Sequence, residues 1–325
     1  MMNPKISVIM PMYNVEKYVS LAIQSLLNQT FTDFEAIFVD DCGPDNSLEI
    51  AKSFNDPRIK IIQNENNLGA TGSRNRGIEI AKGDYIYFLD SDDAMLPNCL
   101  ELLYSTAVQE SEKADMVSSV ISMYAIDSEF QSIENIKVQV INNGEMNVVS
   151  NDLKVRLWEE YVKHKIHCAV WLSLFNRSLF DGSKAKIRFR DFAIADDDFF
   201  LCEILCAASN IKKINTPVYV YRQRQGSISN SSDNNRLKKY IPAIINGANF
   251  LEDKLLSMTN DVNFTNKVIC FVVARLMNVF VLPFFRSNEF MAMEKIEESL
   301  RENSKDKINF FKSLIYYDML LKISR

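Results

Sequence analysis

No CxxC pair and no regular cysteine framework occurs anywhere in the 325 residues. The six cysteines (Cys42, Cys99, Cys168, Cys202, Cys206 and Cys270) are scattered. Cys202 and Cys206 are spaced to share a helix face, yet two thiols do not make a zinc site. Reduced, buried thiols in a cytoplasmic protein are the expectation. Histidine is nearly absent too: His164 and His167 stand three apart with none of the carboxylate motif of a zinc enzyme. Basic charge is in deficit, with 37 Lys and Arg against 42 Asp and Glu for a net −5. That argues against a nucleic-acid partner, because no excess exists to neutralise phosphates along a duplex. Long apolar runs are missing as well. The best, "VICFVVARLMNVFVLPFF" at 268–285, is interrupted by Arg275, Asn278 and Pro283 and reads as a helix buried in a core. The opening "MMNPKISVIMPMYN" is too short in apolar residues for a signal peptide. There is no repeat and no low-complexity segment.

What is present is an ordinary globular balance, 47% hydrophobic and 24% charged, and a clear alternation over the first hundred residues. "KISVIMP" is a short β-rich run, and "VEKYVSLAIQSLLNQ" then places Val15, Val19, Ala22, Ile23, Leu26 and Leu27 at helical spacing. "FEAIFVD" is a second strand and "DNSLEIAKSF" a helix that Asp45, Asn46 or Ser47 caps. "RIKIIQ", the helix "ATGSRNRGIEIAKG" closed by Gly83, and "DYIYFLD" complete the series. Strands apolar on both faces and alternating with helices predict an α/β fold with a mostly parallel sheet covered by helices. From about Ser122 strands of mixed direction follow, and beyond Arg236 the chain reads as helices.

In such sheets ligands gather beyond the carboxyl ends of the strands. Here those ends carry "PMYN", "DDCGPDNS", "NENNLG" and "DSDD", so four chemically suggestive loops are expected on one edge. Asp90, Asp92 and Asp93 crowd like charge against a buried strand, which persists mainly when a cation offsets the repulsion. Mg2+ and Mn2+ want few carboxylates and complete their shell with substrate phosphates. A solvated turn leading into a helix is the alternative on spacing alone.

The stretches "SVIMPMYNVEKYVSLAIQSLLNQTFTDFEAIFVDDCGPDNS" and "RIKIIQNENNLGATGSRNRGIEIAKGDYIYFLDSDD" resemble the family 2 glycosyltransferases of the GT-A fold. The match is dense from about Lys5 to Asp93 and echoes weakly through "VWLSLFNRSLF", "IADDDFF" and "YVYRQRQGSIS". The resemblance implies a Rossmann-like sheet with a helical C-terminal region. It divides the chain into a nucleotide-sugar-binding half (1–121), an acceptor-binding half with the catalytic base (122–235) and helices (236–325).

Position by position, the resemblance implies that Pro11, Tyr13 and Asn14, with Asp40 and Asp41, hold the uridine of a UDP-sugar, Asp41 at the uracil edge. Cys42-Gly43 stands where Gly-Ser is commoner. Gly69 permits close approach to the nucleotide and Arg74 offers its guanidinium to base or diphosphate. "DSDD" matches the DxD motif, with Asp90, Ser91 and Asp92 at the diphosphate and Asp90, Asp92 and Asp93 as candidate ligands of Mn2+ or Mg2+. The second acidic cluster resembles the family's acidic pair and supplies a general base for an inverting displacement. Aligning through Phe200 puts that base at Asp197, and through Phe199 at Asp196; Asp197 is preferred. An acidic first helical turn is the bland alternative. Arg222 and Arg224 resemble a segment closing over the diphosphate, or are solvated arginines. Trp171 resembles a Trp near sugar or acceptor, or is a core residue; Ser173 replaces the usual Lys two positions on.

The expected function is metal-dependent transfer from a UDP-sugar to a glycan or lipid-linked glycan in surface polysaccharide or lipopolysaccharide synthesis, at the inner face of the cell membrane. Residues 305–325, five basic against two acidic with a broad apolar arc, are read as a peripheral membrane contact, as packing on preceding helices, or as a homo-oligomer contact. The rivals are a polyprenyl-phosphate sugar synthase using a GDP- or UDP-sugar, a catalytically silent nucleotide-sugar or glycan-binding subunit, and a poorly fitting glycosidase.

Overall fold

The computed structural model describes residues 3–276, other than 127–129, 135, 143–148, 164, 193–194 and 224–235. His164, Arg224, residues 277–285 and the 305–325 segment therefore lie outside the described residues. Two compact units are formed: Met1–Arg190 with Phe200–Ser231, and Asp191–Phe199 with Ser232–Arg325.

The first unit is built on β1 (Ile6–Met12), β2 (Phe34–Asp40), β3 (Ile59–Gln63) and β4 (Tyr85–Phe88). All seven residues of β2 are buried, as its unbroken apolar run demands of a strand covered on both faces. Between these strands lie α1 (Val19–Leu27), α2 (Ser47–Ser53) and α3 (Gly69–Ile80). The helical spacing in α1 works as read, with Val19, Ala22, Ile23 and Leu26 in the core. At α2 the capping oxygen belongs to Asp45, whose Oδ1 accepts from the backbone and hydroxyl of Ser47.

Two local expectations shift. Helix α3 ends at Ile80, because Ala81 is already extended. Gly83 instead passes close to β1: a Cβ there would sit 2.4 Å from Ser7 N and 2.6 Å from the Ile6 carbonyl carbon.

After β5 (Ala94–Met95) and α4 (Cys99–Val108) come β6 (Met116–Ser119), β7 (Ile121–Ala125) and β8 (Val138–Asn142). A short helix α5 (Leu153–Arg156) runs into a wider π-type turn, and β9 (Ser173–Asn176) follows. Helix α6 (Asp196–Ala207) precedes β10 (Ile211–Ile214) and β11 (Tyr219–Arg222). The main sheet has the order β10-β6-β9-β4-β1-β2-β3. It is parallel except at β9, which pairs antiparallel with both β4 and β6. A second sheet, β5-β11-β7-β8, begins directly after Asp93.

In the second unit α7 (Arg236–Thr259) and α8 (Val262–Leu276) pack together. Val268, Ile269, Val272, Val273 and Leu276 are buried, so the described part of the interrupted apolar run is a core helix. Among the described residues no helix is long and apolar enough to cross a membrane.

Candidate active site

Parallel register delivers the first part of the site. Met12 lies opposite Asp40, and the Asp41 N–H donates to the Met12 carbonyl at 3.0 Å. Beyond those partners both chains take left-handed backbone at non-glycine residues, Asn14 (φ 53°) and Cys42 (φ 58°). Such strain persists only where surroundings over-determine it, and it clusters at functional sites. Pro11 is half-buried, while Tyr13 and Asn14 are exposed at the strand end.

Asp40 and Asp41 are both buried. Asp41 Oδ1 accepts from Asn64 Nδ2 at 2.7 Å and from the Leu68 N–H at 2.8 Å, which fastens the loop after β3 to the end of β2. Asn64 Nδ2 also donates to Ser73 Oγ at 2.9 Å, extending the network into α3. Gln63 Nε2 donates to Asp40 Oδ2 at 3.2 Å. Gly69 enters α3 with φ 72°, a backbone that favours glycine, and space is open where a Cβ would sit.

Strand β4 supplies the second part. Leu89 still donates to the Ile9 carbonyl, and the chain then turns, the Asp93 N–H reaching the Asp90 carbonyl at 3.2 Å. Asp90 and Asp92 are half-buried, Ser91 and Asp93 buried. Arg74, itself buried on α3, donates from Nη2 to Asp90 Oδ1 at 2.8 Å, and its guanidinium lies 5.2 Å from the Phe189 ring centre.

Asp93 sits differently from its neighbours. Its Oδ2 accepts from the Tyr219 hydroxyl at 2.9 Å and its Oδ1 from the Arg222 N–H at 2.7 Å. Burial, then the charges of Asp92 and Asp90, push its carboxyl well above the usual range. Arg222, only 1% exposed, donates from Nε to the Asp92 carbonyl at 2.7 Å and from both terminal nitrogens to the Phe130 carbonyl at 3.0 Å. Its guanidinium stacks 3.7 Å above the Phe130 ring. Arg222 is thus a buried clamp on the acidic turn, where the sequence had suggested an arginine facing diphosphate or solvent. Trp171 is also buried, stacked 4.4 Å from Tyr219 and 5.7 Å from Tyr221.

Among the described residues no group of three or more His, Cys, Asp or Glu is arranged to hold a metal by itself. Two half-buried carboxylates, Asp90 and Asp92, nonetheless fit a hard divalent cation that takes its remaining ligands from phosphate. The buried, doubly bonded Asp93 does not fit that role.

In the second unit the other aspartate cluster opens α6. Ala195 before it has φ 57°, and its carbonyl accepts from the Phe199 N–H. Asp198 is buried and paired with Arg275, whereas Asp196 and Asp197 remain half-buried at the helix start. His167 Nδ1 accepts from the Ala169 N–H, a local turn contact.

Asn64, Ser73 and Tyr219 were not singled out by the sequence. Asn64 opens the Asn-rich loop after β3 and Tyr219 lies in a plain strand; neither carries a motif of its own.

The chain matches the family model for glycosyl transferase family 2 over residues 7–181. It is similar to glycosyltransferase GlyG of Streptococcus pneumoniae serotype 4, 32% identical over 70% of this chain and 73% of that one. It is also similar to UDP-Glc:alpha-D-GlcNAc-diphosphoundecaprenol beta-1,3-glucosyltransferase WfgD of Escherichia coli, 41% identical over 33% of this chain and 42% of that protein. Among solved structures, S. aureus TarS 1-349 in complex with UDP-GlcNAc shares the fold at a TM-score of 0.69 and 19% identity, covering 91% of this chain and 79% of that one.

Proposed function

The chain belongs to glycosyl transferase family 2 and is a glycosyltransferase, and from that premise we propose that it transfers a sugar from UDP to a hydroxyl of a glycan or lipid-linked glycan, with inversion, in surface polysaccharide synthesis. The observation that carries this reading is that Asp40 and Asp41 at the end of β2 and Asp90 and Asp92 after β4 lie at the same edge of the sheet, on parallel strands that flank β1 on either side. UDP offers the matching chemistry: a planar base with hydrogen-bonding edges and a diphosphate whose charge needs a cation. WfgD, whose name specifies UDP-Glc and a diphosphoundecaprenol-linked acceptor, adds support for the donor and acceptor class.

Pro11, Tyr13, Asn14 and Asp41 hold the uridine end, with Asp40 and Gly69 shaping the same mouth. Asp90 and Asp92 hold Mn2+ or Mg2+, and Ser91 borders the diphosphate. A divalent ion bound there offsets the charge that develops on departing UDP. Arg74 positions Asp90 and adds a fixed positive charge beside the leaving group. Asp197, or its neighbour Asp196, accepts the proton of the acceptor hydroxyl as the oxygen attacks the anomeric carbon and UDP leaves from the opposite face. The Arg275 pairing of Asp198 supports choosing between the other two. No covalent glycosyl-enzyme forms, so no nucleophilic side chain is required.

The test is UDP or GDP release from a panel of UDP-, GDP- and dTDP-sugars with a glycan or lipid-linked acceptor. A UDP-sugar is expected to react, chelation of divalent ions to stop the reaction, and Asp197→Asn to slow transfer on the order of 100-fold. Preference for a GDP-sugar, or full transfer by both Asp197→Asn and Asp196→Asn, overturns the reading.

A further inference from the structure

Strand β11 lies in the second sheet, apart from the strands whose ends form the donor site, yet its side chains terminate on the acidic turn. The Tyr219 hydroxyl bridges that turn: it accepts from the Asp90 N–H at 3.1 Å and donates to Asp93 Oδ2 at 2.9 Å. Three residues on, the Arg222 N–H holds the other oxygen of Asp93, and the Arg222 side chain holds the Asp92 carbonyl. Every residue of the turn except Ser91 is thus tied to β11 through a named hydrogen bond. Tyr219 is itself fixed, its ring fully buried and stacked on Trp171 at 15° between planes. The Trp171 carbonyl accepts from the Tyr87 hydroxyl on β4 at 2.5 Å, which closes the loop back to the strand that carries the turn.

We propose that Tyr219, with Asp93 and Arg222, is a positioning device that sets the separation and orientation of Asp90 and Asp92 for a divalent cation. Asp93 acts in it as a strut. The inference rests on the donor reading above and goes beyond it by assigning metal-site geometry to a strand outside the nucleotide-binding half. The physical reason is that two carboxylates closing on one small cation must be held against mutual repulsion. A four-residue turn spanned by the Asp93 N–H to Asp90 carbonyl bond does not do that alone. Hydrogen bonds to a charged or buried acceptor are the strong ones, so removing one hydroxyl that serves two partners is felt at the turn.

Calorimetric titration of the full chain with UDP, with and without saturating Mn2+, isolates the metal-dependent gain in affinity. Tyr219→Phe keeps the stacked ring and removes the bridge. That gain is expected to fall on the order of tenfold, while metal-free UDP affinity, set at β1 and β2, holds within about twofold. Asp93→Asn, which retains one acceptor for the two donors, is expected to fall between wild type and Tyr219→Phe, and serves alone if the Phe variant does not fold. An undiminished gain in a folded variant overturns the proposal, as does an equal loss with and without Mn2+. Wild-type protein with no metal-dependent gain overturns the metal reading itself and this inference with it.

Discussion

Arg74 and Asp90 form an ion pair that joins helix α3 to the turn after β4, Nη2 to Oδ1 at 2.8 Å. The arginine is buried and the aspartate half-buried, so the pair is shielded from water more on the arginine side than on the aspartate side. Arg74→Ala leaves Asp90 without this donor and a gap beside Phe189. It is expected to lower stability by about 1–3 kcal/mol in urea unfolding and to weaken UDP–Mn2+ binding more than it weakens uridine binding. Equal loss for uridine and UDP would show that Arg74 acts on the base alone.

Cys42 is exposed at the end of β2, its thiol donating to the Asn64 carbonyl at 2.9 Å, while Cys99, Cys202 and Cys206 are buried. A thiol-alkylating reagent is expected to label Cys42 ahead of those three, as peptide mass spectrometry reads directly. Saturating UDP is expected to slow that labelling several-fold, in line with site occupancy. Labelling indifferent to UDP would place the base elsewhere than the β1–β2 mouth.

Gly83 donates to Ser7 Oγ at 2.8 Å and has backbone, not a flexible side chain, where a Cβ would go. Gly83→Ala must push β1 away from the loop before β4. A loss of about 1–3 kcal/mol is expected from the urea midpoint, or failure to accumulate folded protein. A midpoint unchanged from wild type would contradict the close approach.

Glu35 lies within the buried strand β2, and its oxygens accept from Ser7 Oγ at 2.6 Å, the Lys82 N–H at 2.7 Å and Lys60 Nζ at 2.5 Å. Burial alone would lift the carboxyl, but the Lys60, Ser7 and Lys82 contacts outweigh it and hold Glu35 below its ordinary value. A folded value below the unfolded one means the contribution is complete above the ordinary carboxylate range and disappears as pH falls through the folded value. Glu35→Gln is therefore expected to lower the urea midpoint at neutral pH and to flatten the acid limb between about pH 5 and pH 3. An acid limb as steep as wild type assigns that limb to other carboxylates.

The first four strands were legible because β1, β2 and β4 are apolar on both faces, a pattern with few other readings. The strand ends were legible for the same reason, since the polar loops after them have one edge to occupy. The antiparallel direction of β9 was not, because pairing direction is decided by partners distant in sequence. The burial of Arg222 was hidden on similar grounds. Alternating with Arg224 at a strand end it looks solvated or phosphate-facing, but its acceptors include the Phe130 and Asp92 carbonyls, 92 and 130 positions away. Nothing local separates Asp93 from Asp92 either. Only the folded chain, with Tyr219 and the Arg222 N–H reaching Asp93, makes one carboxylate a strut and leaves its neighbour half-buried at the mouth.

In the proposed reading Asp90 and Asp92 hold a divalent ion against the diphosphate of UDP. Electron paramagnetic resonance of Mn2+ in the presence of the full chain reads this directly, because bound Mn2+ loses the sharp signal of the free aquo ion. With UDP present, wild-type protein is expected to capture Mn2+ in a one-to-one ternary complex, and Asp92→Asn to leave it free. Mn2+ captured equally by Asp92→Asn, or left free by the wild type with UDP, would contradict the account.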